Sequence, residues 1–256
     1  MAIISLLTDF GNEDFYVPAF KGALYSACPS AKIVDVSHTI KPYDIVNAAF
    51  FAKHVYQTFP KGTIHIIRVY EQGLTKQKLL AAKYQNYYFI APDNGLLTLI
   101  FDDKPDLLVE VDTKQVQFKN TDEYYCRVVK EIVFNNNIGE IGKATSDYKV
   151  KNSMMSVIQA DKIIGTVVYI DNFGNAITNI HQTDFDRFIA TNSTWRINYR
   201  KYDYIDEIVE DYTDVNKSYN LARFNNHGYL ELCIHCGSAA QLLGLQIGDS
   251  IQIVNE

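Results

Sequence analysis

The chain has 256 residues, of which 47% are hydrophobic and 21% charged, and its 24 basic and 30 acidic residues give a formal net charge of -6. This is the composition of a folded globular protein, and it excludes collagen-like, low-complexity and disordered classes. Because the net charge is negative, we expect neither nucleic acid nor a membrane as a partner. The sequence has only four cysteines, no signal-peptide pattern and no apolar run long enough to span a bilayer, so a cytoplasmic location is expected.

The first part of the chain alternates between strand and helix patterns. Apolar, β-branched runs predict buried strands, and apolar residues at helical spacing predict helices. The predicted strands are residues 2–7, 31–37, 63–70, 87–91 and 107–111, and the predicted helices are residues 15–27, 44–59 and 123–134. Strand–helix–strand order is typical of a parallel sheet covered by helices. We therefore predict an α/β domain with a mostly parallel sheet over residues 1–150.

The second part of the chain has short, alternating, turn-rich segments. The predicted strands are residues 162–171, 194–199, 229–234 and 249–254. They predict a smaller, compact all-β domain over residues 157–256, whose strand order the pattern leaves open. The acidic stretch at residues 202–212 favours a solvated surface, with a binding face as the alternative.

Two carboxylates follow the first predicted strand. Asp9 and Asp14 lie on either side of Gly11, at the carboxyl end of the predicted sheet, where open α/β folds bind ligands. The alternative is structural, with Asp9 capping the next helix and Asp14 exposed.

Three further motifs have a plain structural interpretation. Asp93-Asn94-Gly95 is a turn signature, and Asp171-Asn-Phe-Gly-Asn175 is typical of a hairpin turn in which Gly174 has a positive φ. Cys233-Ile-His-Cys236 contains soft metal ligands, but a structural zinc site needs four and no second Cys-x-x-Cys is present. A packed strand end is therefore favoured there, and we predict no metal site.

Taken in order, a series of motifs resembles one family over nearly the whole chain. These motifs are Leu6–Gly11 with Asp14, Lys21-Gly22, Ile33–His38, Pro42–Asp44, Phe59–Thr63, Ala91–Thr98, Asp171–Asn175, Thr178–Ile180, Gly228–Glu231 and Gly237–Ala240. They are similar to those of the S-adenosyl-L-methionine (SAM) hydrolases, also called SAM hydroxide adenosyltransferases, which are related to fluorinases and chlorinases.

The resemblance implies an N-terminal α/β domain, a C-terminal β-barrel and a homotrimer whose active sites join the N-terminal domain of one subunit to the C-terminal domain of its neighbour. It also implies that SAM is the substrate and that no cofactor is needed. The residues at substrate-binding positions are Asp9, Asp14, Tyr43, Asn94, Asp171, Phe173, Asn175, His235 and Cys236.

The chain departs from the family at the nucleophile site. Hydroxide-transferring members carry an Asp, an Arg and a His, and counting along this chain places Tyr70, Gln77 and Asn120 there, with Thr121 beside Asn120. These four residues are the predicted catalytic positions. Glu71 is a possible substitute base, although a loop carboxylate is expected to be exposed.

Three functions are therefore weighed. The favoured one is cleavage of SAM by water at C5′, giving adenosine and L-methionine. The alternatives are a halide-using adenosyltransferase and a non-catalytic protein that binds SAM or adenosine. Tyr70 resembles the halogenating branch. The first function is favoured because the ligand-binding positions are retained and only the nucleophile loop has changed.

Overall fold

A computed structural model describes residues 1–73, 76–113, 120–152 and 155–255 of the chain. The chain divides into two units, Met1–Asn152 and Ser153–Glu256. No helix among the described residues is long and apolar enough to cross a membrane.

The first unit is a seven-stranded sheet with helices on both faces. Its strands are β1 Ile3–Thr8, β2 Lys32–Ser37, β3 Ile64–Arg68, β4 Leu79–Tyr84, β5 Tyr87–Pro92, β6 Leu107–Val111 and β7 Gly142–Ala144. Its helices are α1 Tyr16–Ala27, α2 Ile45–Val55, α3 Leu96–Ile100 and α4 Thr121–Asn135. Helices α1 and α4 pack on one face of the sheet, and α2 and α3 pack on the other. The two apolar clusters bury the sheet on both sides, which explains why its strands are apolar runs rather than alternating patterns.

The sheet is mixed, which corrects the prediction of a mostly parallel sheet. The strand order is β2-β1-β3-β5-β4-β6-β7. The first four strands in that order are parallel to one another, and the remaining ladders are antiparallel. The reversal begins at β4, which the sequence analysis did not predict.

The β4–β5 hairpin turns through Gln85 and Asn86. Both residues have positive φ, at 49° and 65°, as the favoured two-residue hairpin turn requires. The usual sequence signal for this turn is Asn-Gly or Asp-Gly, and neither is present here. Without a glycine at the turn, β4 and β5 read as one apolar segment, so the sequence does not predict β4 as a separate strand.

The second unit is an antiparallel sheet that nearly closes on itself. Its strands are β8 Val157–Ile158, β9 Lys162–Ile170, β10 Ala176–His181, β11 Trp195–Asn198, β12 Tyr204–Ile205, β13 Asn220–Phe224, β14 Tyr229–Ile234 and β15 Ser250–Asn255, with helices α5 Gln182–Ile189 and α6 Ala239–Leu242. The order is β12-β11-β15-β9-β10-β14-β13, with β8 beside β9. Ile208, just after β12, bridges to Ala222 of β13 and so brings the two edges together. The expected fold class is confirmed in these general terms, a sheet containing parallel strands followed by a smaller barrel-like β unit.

Candidate active site

The carboxylate of Asp9 joins two loops at the carboxyl ends of the parallel strands. Asp9 follows β1, and its Oδ2 accepts a hydrogen bond from the backbone N–H of Tyr43 (3.1 Å) and from that of Tyr70 (3.0 Å). Tyr43 lies beyond β2 and Tyr70 beyond β3, the two strands that flank β1 in the sheet. One oxygen atom therefore fixes both loops. The alternative in which Asp9 caps α1 is wrong, because that helix has Phe15 at its N-cap and no side-chain cap.

Tyr43 and Tyr70 both have a left-handed backbone. Their φ angles are 71° and 55°, which is a strained conformation for an aromatic residue. Charge-assisted hydrogen bonds to Asp9 offset part of that cost. Their rings meet edge to face with centroids 5.5 Å apart, and both rings remain open to solvent. The arrangement presents two aromatic surfaces above a carboxylate.

Asp14 lies in the loop between β1 and α1 and is exposed. Among the described residues, no hydrogen bond or ion pair involves its carboxylate. Its side chain is thus available to a ligand, in contrast to that of Asp9.

The amide of Gln77 closes the loop that begins at Tyr70. Gln77 is buried, and its Oε1 accepts from the backbone N–H of Gln72 at 2.9 Å. Its Nε2 lies 3.5 Å from the carbonyl oxygens of Tyr70 and Asp93. The structure therefore brings the predicted pair Tyr70 and Gln77 together, with Gln77 placed to hold the loop rather than to face solvent.

Asn94 holds the neighbouring loop, between β5 and α3, by hydrogen bonds to the backbone. Its Nδ2 donates to the carbonyl of Val69 at 2.9 Å, and its Oδ1 accepts from the backbone N–H of Leu96. Asn94 is buried, and Gly95 beside it has a φ of 92°. The turn interpretation of this motif is confirmed, and Asn94 ties the start of α3 to the end of β3.

A buried arginine at the end of β3, which is not predicted from the sequence, supports these loops. Arg68 is the last residue of β3, is 6% exposed, and donates from Nε to Glu71 (2.9 Å) and from Nη1 to Asp122 (2.6 Å). Its guanidinium carbon lies 4.5–5.0 Å from the ring centroids of Phe10, Phe20 and Tyr125. A charged residue inside the apolar run Ile64–Val69 was the available signal, because a buried arginine requires partners.

Glu71 is mostly buried, which corrects the expectation that it is an exposed loop residue. Its side chain is 11% exposed and is held by Arg68. Burial raises the pKa of Glu71, Arg68 opposes that rise, and the negative charges of Asp122 and Asp9 add to it. The pKa of Arg68 is also raised despite its burial, because Tyr125, Glu71 and Asp122 favour its charged form.

Asn120 and Thr121 begin helix α4. The Oδ1 of Asn120 accepts from the backbone N–H of Glu123 at 3.1 Å, so Asn120 is the N-cap of the helix. Thr121 is half-buried, and the next residue, Asp122, pairs with Arg68. The start of α4 and the end of β3 are thereby joined, although residues 114–119 before the cap lie outside the described residues.

In the second unit, the loop between β9 and β10 is organised by Asp171. Its Oδ1 accepts from the backbone N–H groups of Phe173 and Asn175, and its Oδ2 accepts from Nδ2 of Asn175, each at 2.9 Å. Gly174 has a φ of 85°, which confirms the predicted hairpin turn. Asn175 is buried, whereas Phe173 is 77% exposed. Asp171 and Asn175 thus shape the loop, and Phe173 is the side chain that the loop presents.

The loop after β14 packs against this hairpin. The backbone N–H of Ala240 donates to the carbonyl of Gly174 at 2.9 Å, and Ser238 lies directly over Gly174. The Nδ1 of His235 lies 2.7 Å from the carbonyl of Val215, so Nδ1 carries the proton and donates it there. Cys236 is exposed, with a φ of 57°. Phe173, His235 and Cys236 are therefore grouped at one end of this unit.

Cys233 is buried in β14 and does not face the same surroundings as Cys236. Burial raises the pKa of its thiol, and the neighbouring Glu231 and Asp171 add to that effect. Within residues 1–73, 76–113, 120–152 and 155–255, no group of three or more His, Cys, Asp or Glu side chains is arranged to hold a metal ion.

Comparisons with known proteins agree over both units. Residues 4–132 match the family model of the SAM hydroxide adenosyltransferase N-terminal domain, and residues 165–252 match that of the C-terminal domain. The chain is 27% identical to an (R)-S-adenosyl-L-methionine hydrolase of Methanocaldococcus jannaschii, over 98% of this chain and 95% of that protein. It is also 27% identical to a fluorinase of an Actinoplanes species, over 72% of this chain and 74% of the fluorinase.

Among solved structures, an uncharacterized conserved protein from Thermotoga maritima is similar with a TM-score of 0.87. It is 26% identical, and the match covers 98% of this chain and all of that one. The fold described above is therefore shared along the whole length of that protein.

Proposed function

Because this chain belongs to the SAM hydroxide adenosyltransferase family, we propose that it is an enzyme that cleaves S-adenosyl-L-methionine with water, giving adenosine and L-methionine. The observation that carries the proposal is the match to both family domains, together with the relatives named as SAM hydrolases over nearly the full chain. Asp9, one of whose carboxylate oxygens holds the backbones of Tyr43 and Tyr70 (the Asp9 latch), supports it by presenting the two aromatic rings to a nucleoside.

The reaction needs positioning more than acid catalysis. Water attacks C5′, the C5′–S bond breaks, and the electron pair leaves on the sulfur of neutral methionine. The sulfonium is already an excellent leaving group, so no proton has to be supplied to it. Holding the water in line behind C5′ in a dry pocket can contribute about 7 kcal/mol or more. The water proton must then pass to a base or to solvent.

The side chains divide by whether they are free to contact a substrate. Asp14, Tyr43, Tyr70, Phe173 and Cys236 are exposed in their units, and we assign them to direct contact. The second group has its polar atoms engaged within the loops, and we assign it to holding those contacts in place. This group consists of Asp9, Gln77, Asn94, Asn120, Asp171, Asn175 and His235.

Thr121 is assigned to the nucleophile side because α4 is anchored through Asp122 to the base of the Tyr70 loop. We further propose a cytoplasmic homotrimer in which the residues of the second unit serve a neighbouring subunit. No cofactor is required by the chemistry, since the sulfonium supplies the activation.

A halide-using adenosyltransferase is the second candidate. The fluorinase relatives and the tyrosine at position 70 favour it. Halide and water would attack C5′ from the same position, so the product formed distinguishes the two functions.

One experiment distinguishes the candidates. Purified protein is incubated with SAM alone, with chloride and with fluoride, and the nucleosides are separated by chromatography. We expect adenosine alone, formed slowly and unaffected by halide. In Tyr70→Phe we expect the rate to fall more than the affinity, because a group beside the nucleophile acts mainly in the transition state. A 5′-halogenated nucleoside would establish the second candidate. SAM that is bound but still intact after a day would indicate a protein that binds SAM without cleaving it.

A further inference from the structure

The buried arginine joins all the segments that carry the candidate nucleophile residues. We define the Arg68 cluster as Arg68, Glu71, Asp122 and Tyr125. Arg68 belongs to β3, Glu71 to the loop that starts at Tyr70, and Asp122 and Tyr125 to α4. The ion pairs of 2.9 and 2.6 Å therefore connect three segments through one guanidinium.

Oε1 of Glu71 is buried and has no hydrogen-bond partner among the described residues. The phenol of Tyr125, which is 0% exposed, lies against the Arg68 guanidinium. Leaving a buried polar atom unpaired is costly. Glu71 is thus held by Arg68 through one oxygen only.

Within the Arg68 cluster, Glu71 is the residue whose negative charge is most readily lost by protonation. Arg68 carries one positive charge against the two carboxylates, so the cluster is net negative when both are ionised. The charges that face Glu71 are Arg68 on β3, Asp122 on α4 and Asp9 after β1, with the Tyr125 phenol packed on the same guanidinium. Burial raises the pKa of Glu71, so its protonation falls closer to neutrality than that of an ordinary carboxyl group.

We propose that Glu71 is a positioning residue, and that its ionised carboxylate, bound to Arg68, fixes the Tyr70 loop in its reactive arrangement. This inference rests on the proposed function. The backbone of Tyr70 is held from one side by Asp9 and lies one residue from Glu71 on the other. The ionised carboxylate attracts the Arg68 guanidinium as an ion pair, whereas the protonated acid keeps only a hydrogen bond to it. Protonating Glu71 therefore loosens the loop next to the residue that contacts the nucleophile.

Glu71→Gln separates this role from a purely structural one. Glutamine has the shape of the protonated acid and keeps Arg68 paired with Asp122. Because burial raises the pKa of Glu71 in the folded state, its ionisation opposes folding, and the stability it contributes is lost as pH rises through that pKa. We therefore expect Glu71→Gln to fold with an unchanged or higher midpoint of thermal unfolding at neutral pH, and yet to lose at least tenfold in kcat.

The pH profile of kcat is the decisive measurement. For the wild type we expect kcat to fall as pH decreases through the raised pKa of Glu71. Glu71→Gln should lack that acid limb and stay at the low rate throughout, whereas Glu71→Asp, which keeps the charge, should retain it. The control variant is Glu123→Gln, which removes a carboxylate next to Asp122 in the first turn of α4. It should behave as the wild type. Equal profiles for wild type and Glu71→Gln would overturn the inference while leaving the proposed function intact.

A second measurement does not depend on activity. Hydrogen exchange of peptides covering residues 69–73, compared at one pH, should be at least threefold faster in Glu71→Gln than in wild type and in Glu123→Gln. If the wild type fails to cleave SAM, the proposed function is lost, and exchange alone decides the positioning role. Unchanged exchange at residues 69–73 would contradict it.

Discussion

His65, in the first unit, shows how burial and a hydrogen bond together set the state of a single side chain. Ser5 of β1 and His65 of β3 are joined by a 2.7 Å hydrogen bond inside the sheet. His65 is 4% exposed, and its Nε2 lacks a partner among the described residues. Burial lowers the pKa of His65 to about 4, so the ring is neutral at neutral pH.

His65 makes stability depend on pH in the acid range. The unfolded chain binds a proton at His65 below its ordinary pKa of about 6.5, whereas the folded chain does so only near 4. Stability is thus present above pH 6.5 and is lost as pH falls toward 4, by about 3 kcal/mol in total. His65→Gln should flatten this part of the curve, measured as the free energy of unfolding in denaturant at several pH values. The exposed His227→Gln should keep it, and an equally steep loss in His65→Gln would contradict the assignment.

Elements show where sequence patterns predict structure and where they do not. The strand at residues 229–234 coincides with β14, and α1 is predicted within one residue, because apolar periodicity is strong there. β4 was missed because Gln85 and Asn86 adopt positive φ without a glycine to signal it. Helix α5 was missed as well, since its eight residues follow β10 directly with no break in the chain.

The candidate site is likewise predictable from the sequence only in part. The positions of Asp9, Tyr43 and Tyr70 could be predicted from motifs, and the structure places them in contact. The Arg68 cluster was not predicted, because Asp122 lies 54 residues away from Arg68 in the chain. A pairing over that distance is decided by how α4 docks on the sheet, and single-sequence periodicity carries no information about docking.

The contact between the two loops of the second unit can be tested at Gly174. A methyl group there would clash with Ser238, and its φ of 85° disfavours any other residue. The left-handed backbone alone costs a non-glycine residue about 1–2 kcal/mol. Gly174→Ala should therefore destabilise the chain by more than that amount in denaturant unfolding. Gly62→Ala is the matched control, since Gly62 has the same φ and open space around it. Equal losses would mean that Ser238 yields without cost.

At the scale of the whole molecule, each unit carries only part of the residue set that the family resemblance predicts. Asp9, Asp14, Tyr43 and Tyr70 belong to the first unit, and Phe173, His235 and Cys236 belong to the second. A second set supplied by a neighbouring subunit is the arrangement that the resemblance implies.

The oligomeric state can be measured by sedimentation. We expect sedimentation at roughly three times the 29.2 kDa of one chain, and loss of SAM cleavage when dilution dissociates the assembly. We expect Tyr70→Phe and Phe173→Ala each to lower the rate, and mixing the two proteins should restore part of it, because some sites would then combine two intact sets. A fully active species that sediments as a monomer would refute the shared site.

The Asp9 latch has a consequence for how the protein can change. One oxygen atom holds the loop that would touch the ligand, through Tyr43, and the loop that would touch the attacking group, through Tyr70. Neither loop can shift its backbone at these residues without losing its own hydrogen bond to the oxygen atom that the other loop also uses. Under the proposed function, a change at Asp9 would therefore disturb ligand binding and turnover together. A change in a side chain farther along the Tyr70 loop would alter the attacking group and leave this shared anchor in place.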